Sequence, residues 1–346
     1  MNSINFMPYF PDRDVDEKFG PFHVWNWIKF RDKYLSDKPS RDFLERYFSI
    51  YKKYDGRAED RIAIIDCEGL PPSDKPELPL EIGRFAHVAM LAHIVMMPLT
   101  SNEAHFASAS DNYALFAQPF DPHSDAISLV FGSYVKTIQA AGSLEHLTFM
   151  TPQHTPDPLF GLGDHRLLRQ LAPLCVKNNM DIERLFRSLP WVGFAFSNVA
   201  EHIYASRIVA MTTAFEILLD MPEEDKTNEF SSRVNALLLA NKLPRSTRKR
   251  KTKSGNEKNE TDNEVGWWCR KFYGIRSKIV HGDKLENEDY KTNDVENLRI
   301  SLHLFRECVD GILVKLGELT EQERMEQFWL CKEWIDVLKL PHDAFY

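Results

Sequence analysis

Apolar positions fall into two patterns along the chain. In the first half they form short runs broken by turn residues, and in the second they recur about every three to four residues. Residues 61–67, Arg-Ile-Ala-Ile-Ile-Asp-Cys, are β-branched and compact, which predicts a buried strand. Pro71, Pro72, Pro76 and Pro79 follow and exclude regular structure between them. Residues 80–97 read as a largely buried helix closed by Pro98. Upstream, Phe43, Tyr47, Ile50, Tyr51 and Tyr54 keep helical spacing, which predicts a core face in preference to a base-stacking surface. Residues 113–117, 127–131 and 147–150 are strand-like, separated by turn chemistry at Pro119, Asp121-Pro122 and Gly142-Ser143. Residues 132–141 fit either a strand or a helix. Residues 1–160 therefore read as an α+β domain, with a sensing or target-selecting role.

From Asp164 onward the pattern is helical. Leu167, Leu168, Leu171, Leu174 and Cys175 share one spacing, and Ile182, Leu185, Phe186 and Leu189 another. Tyr204, Ile208, Met211, Phe215, Leu218 and Leu219 form one stripe with Glu216 at its edge. A carboxylate there faces solvent or holds an arginine of a neighbouring helix. Further helices are predicted over 230–243, up to Gly282, over 289–317 and over 321–338, so residues 164–346 read as an all-α bundle. Between Pro244 and Val265 there is no apolar residue, which predicts a mobile charged loop over 244–264. Its first part is basic, and Arg248, Lys249, Arg250 and Lys251 are either a solvated insertion or an arm that binds phosphates.

Composition narrows the function classes. A formal net charge of −8 excludes a protein that coats nucleic acid, so any such contact uses a local patch. The five cysteines form no CxxC pair, which argues against a disulfide scaffold and a cysteine zinc site. The N-terminal residues lack a secretory pattern, and the longest apolar window, 85–99, falls short of the roughly 20 residues that span a bilayer. A cytoplasmic protein with no membrane partner is expected. There is no Gly-rich phosphate loop, HExxH or nucleophile elbow, and no cofactor is expected. His87 and His93, six residues apart, occupy different faces of one helix and are poor partners for one metal. Asp157, Asp164 and His165 fit a metal or acid–base cluster, but a turn before a helix with Asp164 as N-cap needs the same residue types and is the favoured reading.

The chemistry concentrates where a helix ends at Gly282. Ser277 and His281 are four residues apart and share a face. Arg276, five before His281, lies about 140° away around an ideal helix. Either the helix loosens at Gly282 and His281 swings, or a second copy supplies the missing group across a two-fold axis. A histidine at a helix C-terminus takes and gives protons near neutrality, and arginine suits a phosphate. On spacing alone, a helix capped by histidine and glycine with Arg276 in a surface ion pair accounts for the same residues.

The segment Tyr273-Gly-Ile-Arg-Ser-Lys-Ile-Val-His-Gly282 resembles the signature of HEPN domains, the higher-eukaryote and prokaryote nucleotide-binding family, whose hallmark is Arg, four to six residues, then His. The wording resembles the Apea-like branch, and residues 210–219 and 230–238 resemble the same branch in the right order. The likeness covers about 195–320 of the chain, with Ser277 where the family more often has Asn. It implies a helical bundle that pairs as a homodimer around one composite groove. It further implies a metal-independent endoribonuclease of a toxin–antitoxin or phage-defence kind, or a non-catalytic dimerisation or nucleotide-binding module. On that resemblance Arg276 and His281 are catalytic with Ser277 and Glu216 in support. Lys278 and the basic run bind RNA, and an antitoxin or trigger is a further partner.

Overall fold

The computed structural model describes residues 3–10, 14–53, 55–70, 78–96, 115–119, 126–131, 134–139, 149–150, 164–197, 204–238, 243–251, 257–328 and 333–340. These divide into two compact units. The described residues up to Asn178, with Phe196 and Ser197, form the first; Asn179–Ala195 and those from Tyr204 onward form the second. The first has a small antiparallel sheet, and the second is mostly helical.

The first unit runs β1 (Ser3–Met7), β2 (Asp16–Phe19), β3 (Phe22–Asn26), α1 (Trp27–Tyr34), α2 (Lys38–Phe48), β4 (Tyr51–Lys52), β5 (Ala63–Cys67), α3 (Leu80–Ile94), β6 (Phe116–Pro119), β7 (Ala126–Phe131), β8 (Tyr134–Gln139), β9 (Phe149–Met150) and α4 (His165–Leu171), then a 3-10 turn over Ala172–Val176. The main sheet has the order β2-β3-β5-β1-β6, every pair antiparallel. The expected strand, β5, lies at its centre. Residues 132–141, left open by sequence, contribute β8, which pairs with β7. Gly20, at φ +57°, turns β2 into β3, and a Cβ there would meet Pro173 at 2.8 Å.

The aromatic N-terminal stretch is core. The Phe6 ring contacts Tyr47, Phe48, Tyr51 and Phe116, with centroids 5.0 to 5.7 Å away. The α2 helix stops at Phe48, so Ile50 and Tyr51 lie beyond the helix expected for them, yet both stay buried in that cluster. His93 is a buried helix residue whose Nδ1 lies 2.6 Å from Ala89 O, and burial pushes its pKa down to about 4. The domain boundary expected near 160 falls later. Arg84 of α3 donates to Cys175 O at 3.2 Å and Asp164 N to Ala92 O at 2.6 Å, which ties α4 and the following turn to the first unit.

The second unit runs α5 (Met180–Ala195), α6 (Tyr204–Leu218), α7 (Lys226–Leu237), β10 (Ser246–Lys251), β11 (Glu257–Asp262), α8 (Glu264–His281), α9 (Asn287–Tyr290), β12 (Lys291–Thr292), β13 (Val295–Glu296), α10 (Asn297–Lys315), α11 (Glu321–Phe328) and α12 (Glu333–Val337). The α10 helix packs on α5, α6, α7, α9, α11 and α12. Gly311 lets α7 approach it, since a Cβ there would lie 2.6 Å from Leu237 O.

Two expectations need correction here. The charged stretch read as a loop is a hairpin in which Arg248 faces Glu260 and Thr247 Oγ1 meets Thr261 Oγ1 at 2.8 Å. Opposite charges and paired hydroxyls across the strands take the place of apolar burial. Asp262, at the end of β11, accepts from Ser231 Oγ at 2.6 Å and Arg270 Nε at 2.9 Å, which docks the hairpin on α7 and α8. The helix read over 289–317 starts only at Asn297. Asn293 and Asp294, at φ +48° and +67°, close the β12–β13 hairpin first, because both residue types tolerate the left-handed region. Of the helix read over 321–338, the described residues supply α11 and α12, and 329–332 lie outside them.

Candidate functional site

The α8 helix carries the candidate chemistry. Its start is capped by Asn263, whose side chain accepts from Gly266 N, and Val265, Trp268, Cys269, Phe272 and Ile275 turn inward. Its end is locked by Gly282 at φ +78°, with Gly282 N donating to Ile279 O and Asp283 N to Lys278 O. This is the crossed pattern of a Schellman cap. His281 therefore sits inside the last helical turn, which this cap holds closed. The angular separation of the two side chains stands.

His281 is exposed, as is Val280 beside it. Among the described residues no hydrogen bond or ion pair engages His281, so its ring is open to an incoming proton donor or acceptor. Ser277 is half-buried, and its side chain likewise makes no hydrogen bond among the described residues.

Arg276 is half-buried. Its guanidinium lies over the Tyr273 ring, 5.6 Å from the centroid, and Nη2 is 3.8 Å from Glu216 Oε1. Nε is buried with no partner. Glu216 is occupied elsewhere. Its Oε1 accepts from Tyr273 Oη at 2.6 Å and its Oε2 from Lys226 Nζ at 3.1 Å. Burial, and then the Glu216 carboxylate, push the Tyr273 pKa above the ordinary tyrosine value, so the phenol stays a neutral donor. The carboxylate expected to hold an arginine thus touches Arg276 only loosely and holds a tyrosine and a lysine closely. Tyr273 and Lys226 are the residues that sequence reasoning missed. Tyr273 was within reach of it, since it lies one turn before Arg276 on the same helix.

The remaining candidates are more committed. Lys278 Nζ donates to both oxygens of Asp289 at 2.9 Å, and Glu286 N donates to the same carboxylate at 2.9 Å. Its charge is answered within the chain by Asp289. Arg248 pairs with Glu264 and lies over the Trp267 ring, 5.0 Å from the centroid. Lys249 is exposed on β10. Arg250 and Lys251 belong to the same strand, but their side chains lie outside the described part. Two residues of the alternative cluster in the first unit have structural partners. Asp164 caps α4 by accepting from Leu167 N at 3.0 Å, His165 Nδ1 faces Glu17 Oε2 at 3.3 Å, and Asp157 lies outside the described residues. Among the described residues no three His, Cys, Asp or Glu side chains group as metal ligands. No helix among them is long and apolar enough to cross a membrane.

The arrangement offers a proton-transfer group and a cation on one helix end, about 140° apart. No protein-family model, curated protein or solved structure matches the chain.

Proposed function

We propose that this protein is a metal-independent endoribonuclease of the HEPN kind, in which the end of α8 is half of a site that a second copy completes. The observation that carries the reading is the state of Arg276 and His281. The histidine is exposed and unengaged among the described residues, and the half-buried arginine has only a 3.8 Å contact with Glu216. Both groups retain capacity for an external ligand. In the proposed reaction the ribose 2′-oxygen attacks phosphorus and the 5′-oxygen leaves, giving a 2′,3′-cyclic phosphate. One His281 takes the 2′-hydroxyl proton, the His281 of a second copy protonates the leaving oxygen, and Arg276 neutralises the charge on the non-bridging oxygens. Exposed Val280 beside His281 suits burial in such a pairing. The net charge of −8 favours a restricted RNA target or activity released by a trigger, with the first unit or an antitoxin as the controlling element.

The test is cleavage of total and transfer RNA in EDTA by wild type, Arg276→Ala and His281→Ala. Cleavage by wild type and its loss in both variants supports the reading, and intact RNA throughout sinks it. A second reading, a non-catalytic bundle that dimerises or binds a nucleotide, draws on Glu216. A carboxylate 3.8 Å from Arg276 competes with phosphate for it. Nucleotide binding without cleavage would select that reading.

A further inference from the structure

We propose that the second unit holds a binding site for a small amphipathic anion, an apolar body ending in a carboxylate, in a cavity to which α8 contributes no lining residue. The cavity, about 330 Å³, lies among α5, the ends of α6 and α10, and α7. That volume is at the lower end of the roughly 300–1,000 Å³ of small-molecule sites.

Its floor is apolar: Leu218, Leu219, Leu237, Ile312 and Leu316 line it. Its mouth is charged and largely fixed. Asp220, at φ +52°, ends α6 in the left-handed region. Arg233 then caps the helix, donating from Nη1 to Leu219 O and Asp220 O at 2.8 Å each and from Nε to Glu229 Oε2 at 3.0 Å. The two lining carboxylates are both answered by Arg184, which reaches Asp181 at 2.8 Å and Asp220 at 2.9 Å.

Two cationic groups keep unused capacity. Arg233 Nη2 makes no hydrogen bond among the described residues, and Lys315, exposed at the C-terminal end of α10, pairs with none of them. A guanidinium fixed by three other bonds, in a cavity that a lysine also lines, is a preorganised donor to a carboxylate. The apolar floor rewards a hydrocarbon body by about 25 cal/mol per Å² covered. No aromatic ring lines the cavity, so a nucleobase would find nothing to stack on. The ligand class is therefore a fatty or alicyclic carboxylate, and the site stands apart from the α8 reading.

Isothermal titration of the full-length protein tests this with octanoate, 1-octanol, octylammonium and inorganic phosphate as probes. Octanoate should saturate one site per chain, and the alcohol, the amine and phosphate should each bind at least about tenfold more weakly. Lys315→Glu should weaken octanoate by about tenfold or more, and Ala236→Phe, at an exposed lining position, should occlude the cavity. Circular dichroism and melting check that both variants fold. Should Lys315→Glu melt early, Lys315→Met reads the same charge. Failure of wild type to bind octanoate saturably would overturn the site, as would equal affinity for octanol, or unchanged octanoate binding in both folded variants.

Discussion

Tyr273 Oη donates to Glu216 Oε1 at 2.6 Å. The bond joins α6 to α8 and occupies the carboxylate that lies nearest Arg276, while the Tyr273 ring carries the guanidinium on its face. Arginine and glutamate are thereby kept from closing into a tight pair. In Tyr273→Phe the ring remains but Oε1 is released. The expected outcome is a closer Glu216–Arg276 pair, weaker RNA cleavage, and a stability loss of about 1 kcal/mol for the lost hydrogen bond. Adding Glu216→Gln to Tyr273→Phe should restore cleavage, because the competing charge is gone. Cleavage rates and urea unfolding of the single and double variants check both parts.

Gly282 is a second point of leverage. At φ +78° it ends α8 directly after His281. Gly282→Ala forces a Cβ into the left-handed region, which costs about 1–2 kcal/mol. Chemical denaturation measures the loss. Because the cap fixes the last turn, His281 should also lose order, visible as narrower dispersion of its ring protons in NMR spectra.

Asp262 gathers the hairpin onto α7 and α8 through Ser231 and Arg270. It is nearly buried, so Asp262→Ala leaves Arg270 and the Ser231 hydroxyl without their shared acceptor. A loss of about 3 kcal/mol is expected for breaking a buried charged network from one side. Asp262→Asn should cost less, since an amide oxygen still accepts. Urea midpoints of the two variants rank them.

The Lys278–Asp289 pair predicts a pH dependence. Burial alone would raise the Asp289 carboxyl, but the Glu286 N–H and the Lys278 ammonium outweigh it and hold the pKa below the ordinary value of 3.8. A depressed carboxyl pKa contributes stability that is complete above the unfolded value and is lost as pH falls through the folded one. Stability should therefore drop on acidification below pH 3.8, and Asp289→Asn should flatten that limb. Melting temperatures of both proteins between neutral and acid pH decide it.

What the sequence made legible follows from burial pattern. The stripes of α6 and α8 are long, periodic and buried on one side, and Gly282 marks the stop, so both helices and their end were readable. β1 and β3 were not: Phe6 and Met7 are both buried, as are Val24 and Trp25, so neither strand alternates. The β10–β11 hairpin was hidden because no apolar residue marks it. Asn293-Asp294 was a turn signal inside a stretch otherwise periodic enough to pass for one helix. At the candidate site, Arg276 and His281 could be picked out by spacing. The Tyr273–Glu216 bond could not, since its partners are 57 residues apart and meet only through packing.

Phosphodiester cleavage by 2′-oxygen attack at the end of α8 is the central step of the proposed function. Mass spectrometry of the product ends after incubation of RNA with wild type in EDTA tests it most directly. The expected products carry 2′,3′-cyclic phosphate and 5′-hydroxyl ends, which vanish in His281→Ala and when the scissile ribose is 2′-deoxy. Products bearing 3′-hydroxyl and 5′-phosphate ends, or cleavage that survives the 2′-deoxy substitution, would contradict it.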